Sequence, residues 1–345
     1  MIYVSFYTQS LVEKCEMSLE DSSVLVTGAA GFIGSHLVEK LVTIGANVRA
    51  FVRYTSEGNI GNLRYVEAFN GNLEVFMGDL KDPYVCKKAM DGVDYVFHLA
   101  SLVSVPYSYV NPREYFQNNV FFILNILQAA MELGTKAIIH TSTSEVYGSA
   151  EKIPISEKHP LKAQSPYAAS KIAADKIAES FYMSFDCPVV TIRPFNTYGP
   201  RQSIRAVIPT IVTQAISKQT ILLGDTRPTR DFLNVHDNVE GYVKAAKNID
   251  GIKGMVINLG TGSEISIGQL ANKICKIVGS DSEVVLDDSR IRPAKSEVSR
   301  LCADVSLAKR VLGWEAEISL EDGLKECVQW YRHMPSLHQP KQGYL

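Results

Sequence analysis

The chain has 345 residues, enough for a large buried core, and its 46% hydrophobic and 21% charged content excludes a disordered protein. A formal net charge of −2 gives no broad attraction for nucleic acid, and no apolar run approaches the roughly 20 residues of a membrane helix. Six cysteines (Cys15, Cys86, Cys187, Cys275, Cys302 and Cys327) are scattered without CxxC spacing, which points to thiols in a reducing cytosol and away from a disulfide frame or a metal site.

Residues 1–20 read as an extension, with Met17 an alternative start. They lack the basic opening of a signal peptide, so the expected location is cytoplasmic. From Val24 onward, strand-like and helix-like pieces alternate. VLVTG precedes the helical pattern FIGSHLVEKLVTIG, and NVRAFVRY, LEVFMGD and YVFHLA follow as strands. A long helix is predicted around 113–133, then AIIHTST, a helix from Pro166 to about Phe185, and VVTIRP. Short apolar strands separated by helices predict an α/β fold, a doubly wound parallel sheet of the Rossmann type. After about Asn196 the text becomes loop-rich, with DFLNVHD and GMVINLG as two further sheet-like pieces. The expected division is a dinucleotide-binding domain over 21–195, rejoined by 234–260. A smaller interleaved substrate domain spans 196–233 and 261–335, and 336–345 form a tail.

The first strand runs into TGAAGFIG, with Gly28, Gly31 and Gly34 three apart. A strand, a glycine turn and a helix N-terminus together make a pyrophosphate site, because the backbone can approach the phosphates and free N–H groups face them. The second strand ends in Ala50, Phe51, Val52, Arg53 and Tyr54, without the acid that usually accepts from the ribose 2′-hydroxyl. Arg53 suits a 2′-phosphate instead, so NADP is expected over NAD, with NAD as the alternative.

Ser165-Pro-Tyr167-Ala-Ala-Ser-Lys171 opens a helix, with Tyr167 and Lys171 four apart on one face. A free tyrosine has a pKa of about 10. A nearby ammonium and a positive nicotinamide would favour the phenolate and suit it to take a hydroxyl proton.

TGAAGFIG, GDL at Gly78–Leu80, HLAS at His98–Ser101, the Ser/Thr-rich strand end TSTSEVYG and YAASK occur in the order of the extended short-chain dehydrogenase/reductase family. RPFNTYGPRQ and TRDF resemble its nucleotide-sugar-modifying branch, and the resemblance covers about residues 23–335. It implies a nicotinamide site built from Gly28, Gly31, Phe32, Ile33 and Gly34, with Leu80, Leu99 and Ala100. Asp79 would face the adenine and Asn119 would line the cleft. Thr143, Tyr167 and Lys171 would form the catalytic core, with Tyr167 and Lys171 also touching the cofactor.

Glu145 is the informative departure. In 4-epimerases of this family the position is usually small, since they only remove and return a hydride at C4. Once C4 is a ketone the C5 proton is acidic, and Glu145 would take it while O6 leaves as water. That is the chemistry of the 4,6-dehydratases. Thr143-Ser144-Glu145 resembles the Thr-Ser-Glu of GDP-mannose dehydratases, with Ser144 near the sugar and too weak an acid to replace the aspartate of the dTDP-glucose enzymes. Along a strand Thr143 and Glu145 share a face while Ser144 points away, unless the chain has begun to turn.

VPYSYVNP, SPYAASKIAADKIA, RPFNTYGPRQSIRAVIPTI, PTRDF and RPAKSEVSRLCAD extend the likeness to retaining N-acetylglucosamine 4,6-dehydratases of legionaminic acid biosynthesis. FVRYTS looks more like GDP-mannose dehydratases. Arg230 and Arg292 match family arginines that clamp a diphosphate, Arg201 and Arg205 are candidate helpers, and Asn196 would bond near sugar or phosphate.

The expected function is therefore a nucleotide-sugar 4,6-dehydratase, retaining at C5, acting on GDP- or UDP-N-acetylglucosamine. The alternatives are GDP-mannose or dTDP-glucose dehydration, UDP-glucuronate decarboxylation, 4-epimerisation, or a non-catalytic NADP-binding regulator. His98 and His236 read as structural, with no metal. The expected assembly is a homodimer through a four-helix bundle of 113–133 and 166–185, with Ala173, Ala174, Ile177, Ala178 and Phe181 as its small, apolar stripe.

Overall fold

The computed structural model describes residues 18–66, 71–217 and 220–334. Cys15, Met17 and the 336–345 tail lie outside them. Strands β1 (Ser23–Thr27), β2 (Asn47–Arg53), β3 (Leu73–Gly78), β4 (Tyr95–His98), β5 (Ala137–Thr141) and β6 (Val189–Pro194) join Val256–Leu259 in one seven-stranded sheet. Every pairing within that sheet is parallel. The sheet order is Val256–Leu259, β6, β5, β4, β1, β2, β3. The order therefore reverses between β1 and β4, and a ligand crevice opens beyond the strand ends at such a switch point.

Helices α1 (Phe32–Thr43), α2 (Pro83–Met90), α3 (Val105–Val110), α4 (Pro112–Leu133) and α5 (Pro166–Phe185) connect these strands. Two apolar cores result. One packs Val24, Val26, Leu37 and Leu41 with Tyr242, Val243 and Ile257. The other packs Leu25, Val96 and Ile138 with Ile123, Ile126, Ala174 and Ala178 of α4 and α5. Residues of β1 belong to both, as expected of a strand buried on two faces.

The loop-rich impression after Asn196 is corrected in part. Helices α6 (Val207–Ile216) and α7 (Val235–Lys247) stand there, with further helices at Ile267–Val278 and Leu320–Arg332. A third core of Ile208, Ile211, Leu270, Ile274, Leu324 and Val328 holds three of these together. One signal was readable in the text: Ser266 and Gln269 form a reciprocal capping box at the start of Ile267–Val278. GMVINLG joins the main sheet, whereas among the described residues Phe232–Asn234 pairs only with Asn196–Tyr198.

The apolar stripe on α5 is only partly outward. Ala174 and Ala178 are buried within the chain, because α5 packs along α4 and small residues let the two backbones approach. The exposed large apolar side chains on these helices are Phe116, Phe121 and Met131 on α4, and Met183 and Phe185 on α5.

Candidate active site

At the dinucleotide turn, Gly28 has φ +70°, and a Cβ there would come within 2.8 Å of the Ala100 nitrogen. A Cβ on Gly34 would overlap the Gly28 carbonyl oxygen. The turn is therefore a backbone cradle that side chains would fill, and Gly31 leads into α1 with no side-chain cap on its N–H groups. This fits a pyrophosphate. Gly34→Ala should cost about 1–3 kcal/mol by overpacking and weaken nicotinamide dinucleotide binding, read from urea midpoints and isothermal titration.

One large cleft, about 2260 Å³, is lined by Gly28, Gly31, Phe32, Ile33, Gly34, Arg53, Asp79, Leu80, Leu99 and Ala100 at its cofactor end. Thr143, Ser144, Glu145, Tyr167, Asn196, Arg201, Arg205, Arg230 and Arg292 line the remainder. Asn119 is placed differently: it is buried behind the wall, where its amide bonds Leu102 N–H (2.8 Å), Leu102 carbonyl (3.1 Å) and the Ser170 hydroxyl (2.9 Å). Its neighbour Asn118 lines the cleft in its place.

Strand β5 stops at Thr141, and Ser144–Tyr147 is already a single 3₁₀ turn. Strand alternation does not apply there, so Ser144 lines the cleft together with Thr143 and Glu145. Thr143 caps the turn by accepting the Glu145 N–H at 3.2 Å. Glu145 is half-buried. Its charge acts on two cleft groups at once, pushing the Tyr167 phenol up and favouring the charged form of Arg230.

Ser165 caps α5 by accepting the Ala168 N–H at 3.1 Å, with Pro166 in the first turn. Tyr167 is 7% exposed and meets Tyr115 edge-on at 6.1 Å between ring centroids. Burial raises its pKa well above the ordinary tyrosine value, and a hydrogen bond with Thr143 opposes that rise. The expected lowering by a neighbouring ammonium is absent in the protein alone. Lys171 Nζ donates to the Thr141 carbonyl at 2.6 Å and is itself buried. Burial pushes its pKa down to about 8, against the pull of Asp175. Lys171 sits behind the cleft wall, not in it.

Arg230 is buried and donates to Glu297 at 3.0 Å, while Arg292 approaches the other oxygen of Glu297 at 3.9 Å. Glu297 therefore holds both candidate diphosphate arginines at the cleft. Arg201, at φ +65°, is turned toward Glu39 at 2.7 Å and the Tyr65 carbonyl at 3.2 Å. Asn196 leaves its side-chain oxygen unpaired at the cleft wall, an acceptor with capacity to spare for a ligand. His98 bonds Thr27 at 2.9 Å and His236 bonds Glu326 at 3.0 Å. Among the described residues no three His, Cys, Asp or Glu side chains gather as a metal site would require.

The pattern of the GDP-mannose 4,6-dehydratase family matches residues 25–327. The chain belongs to that family. This GDP-mannose 4,6-dehydratase-family protein is similar to enzymes of three activities. A dTDP-glucose 4,6-dehydratase of Streptomyces griseus is 33% identical over 92% of this chain and 96% of its own. A putative UDP-glucose 4-epimerase of Methanocaldococcus jannaschii is 31% identical over 90% and 98%. A UDP-N-acetyl-alpha-D-glucosaminuronate decarboxylase of Bacillus cytotoxicus is 32% identical over 90% and 98%. Among solved structures, DesIV, a dTDP-glucose 4,6-dehydratase of Streptomyces venezuelae with NAD and TYD bound, superposes with TM-score 0.81 at 31% identity over 90% of this chain and 97% of that one. A UDP-N-acetylglucosamine 4-epimerase of Methanobrevibacter ruminantium in complex with UDP-N-acetylmuramic acid gives TM-score 0.83 at 31%, over 91% and 99%.

The family protein is thus an enzyme of the nucleotide-sugar dehydratase, epimerase and decarboxylase group. Near-equal identities do not choose among those activities. Two residues that support the site escaped the sequence reading, one on the cleft wall and one buried behind it. Glu297 stands in RPAKSE, five residues after Arg292, and Asp175 is one helical turn beyond Lys171. Spacing could have marked both, but only the fold supplies their partners.

Proposed function

We propose that the chain is a nucleotide-sugar 4,6-dehydratase, retaining at C5, that acts on GDP- or UDP-N-acetylglucosamine. The observation that carries this reading is the Glu145 carboxylate on the cleft wall, acting on Tyr167 on one side and on Arg230 on the other. A sugar whose diphosphate lies on Arg230 and Arg292 and whose C4 hydroxyl lies on Tyr167 would bring C5 and C6 past Glu145. An enzyme that only exchanges hydride at C4 has no use for a carboxylate there. In this reading 21–195 and 234–260 hold the dinucleotide, while 196–233 and 261–335 hold the sugar nucleotide. The N-acetylglucosamine assignment rests on the likeness of SPYAASKIAADKIA and RPAKSEVSRLCAD to the retaining enzymes of legionaminic acid biosynthesis.

A nicotinamide dinucleotide bound there would supply a hydride acceptor for C4 and, once reduced, a hydride donor for C6. Gly28, Gly31, Gly34 and the start of α1 would hold its phosphates. Tyr167 takes the O4 proton, with Thr143 bonded to its phenol, and later releases that proton to solvent. Glu145 takes the C5 proton and gives it to O6, which leaves as water. A solvent proton delivered by Glu145 to the same face restores C5. Retention follows from using one carboxylate for both transfers. A substrate deuterated at C4 should give product with the label at C6. Label released to solvent, or kept at C4, would refute the scheme.

Arg53 is exposed at the end of β2 and lines the cleft, with no acid at that strand end. It supports NADP over NAD in this chain. Arg53→Ala should narrow the affinity gap by roughly 1–3 kcal/mol, the range for a charge-assisted hydrogen bond, read by isothermal titration. Equal affinities in the unmutated protein would count against it. Phe121, Met183 and Phe185 are outward apolar groups suited to a homodimer through α4 and α5. Light scattering at micromolar concentration should give twice the mass of one chain, and a monomer would exclude this assembly.

A further inference from the structure

We propose that Asp175 is a positioning residue for proton transfer at the sugar C4: its carboxylate fixes the strand end on which Lys171 rests and sets a negative charge one helical turn from that lysine. The inference rests on the dehydratase reading only insofar as Tyr167 and Lys171 handle the C4 hydroxyl. Hydride removal at C4 is common to the dehydratase and epimerase alternatives.

The geometry is specific. Asp175 is buried, one turn after Lys171 on α5. Its Oδ2 accepts from the Ser142 hydroxyl at 2.8 Å and from Arg193 Nε and Nη2 at 3.1 and 2.9 Å. Its Oδ1 lies 3.3 Å from His140 Nε2. His140 and Ser142 flank Thr141, and the Thr141 carbonyl is the acceptor for Lys171 Nζ at 2.6 Å. One carboxylate therefore bonds one neighbour of the peptide that anchors the lysine and touches the other. Arg193 is fastened in turn to the Tyr147 hydroxyl at 3.0 Å, and Tyr147 to Asn258 at 2.7 Å. The support thus runs on to the last strand of the sheet.

The same carboxylate acts on charge. Lys171 is buried, and burial alone drives it toward the neutral amine. The titratable groups of other elements that feel the Lys171 charge are His98 on β4 and His140 on β5, and Asp175 acts on it from its own helix. Burial holds His98 and His140 neutral, so neither titrates with Lys171. Arg193 is cationic and cannot favour a second cation. Of all these, Asp175 is the group that favours the ammonium.

Asp175→Asn keeps the size and the hydrogen-bond acceptor but removes the charge. Arg193 already offsets part of that charge, so the Lys171 titration should move to lower pH by about one unit, the low end of the range for a close opposite charge. Two readouts test this. In the apoprotein, the ¹³Cε resonance of Lys171, assigned by its loss in Lys171→Met, should titrate at lower pH. With substrate, the alkaline limb of single-turnover cofactor reduction should shift by the same amount, and Asp175→Glu should restore it. If Asp175→Asn does not fold because Arg193 is left buried and unpaired, the double variant Asp175→Asn/Arg193→Met removes the pair together and should shift the resonance in the same direction. An unchanged Lys171 titration in a folded variant overturns the proposal. The apoprotein arm stands whatever the sugar reaction proves to be.

Discussion

Glu145→Gln is expected to lower dehydration by roughly 10²- to 10⁴-fold, the usual contribution of a positioned general acid–base group, while hydride removal at C4 continues. The amide keeps the side chain's size, and the turn beneath it is capped by Thr143 through the Glu145 backbone N–H, which the substitution leaves intact. What is lost is a base for the C5 proton and an acid for O6. Absorbance of the reduced nicotinamide should therefore accumulate after mixing with substrate. Little deuterium should enter C5 from D₂O. Dehydration at near-normal rate in this variant would remove Glu145 from the mechanism.

Tyr167→Phe should fail one step earlier. The phenol is the cleft-lining group of the Tyr167–Lys171 pair, and Lys171 itself lies behind the wall against Thr141. With no base for O4, reduced nicotinamide should not form, and turnover should fall by roughly 10²- to 10⁴-fold. The fold should survive. The ring remains in contact with Tyr115, and the loss of one hydrogen bond costs about 0.5–1.5 kcal/mol. Stopped-flow absorbance separates the variants, since Glu145→Gln reduces the cofactor and stalls while Tyr167→Phe does not reduce it. Because burial, and after it the Glu145 charge, raise the Tyr167 phenol, the phenolate has to be favoured by positive charge. Lys171 and the nicotinamide ring of a bound cofactor are the sources the mechanism requires.

The sheet and its glycine turn were legible because their signals are local. Val24–Thr27 reads as an apolar strand, and Gly28 and Gly34 stand where any Cβ would strike backbone. The helix Pro166–Phe185 matched its predicted span because a serine cap and a first-turn proline announce its start. What the sequence did not carry was the turn after Thr141, whose 3₁₀ geometry depends on Thr143 folding back onto the Glu145 N–H. That is why strand alternation failed for Ser144. Asn119 was placed in the cleft by resemblance. Its burial comes from Leu102 and Ser170, which are 17 and 51 residues distant in the chain. Glu297 and Asp175 show the same limit. Each is an ordinary acid in the text and acquires its role only when the fold sets it against Arg230 or Ser142.

The most direct measurement is the mass of the product formed when the purified protein is given GDP- and UDP-N-acetylglucosamine, GDP-mannose, dTDP-glucose and UDP-glucuronate in turn. The account predicts loss of one water from an N-acetylglucosamine nucleotide, with no net change in the cofactor. An unchanged mass with an inverted C4, or loss of carbon dioxide from UDP-glucuronate, would contradict it.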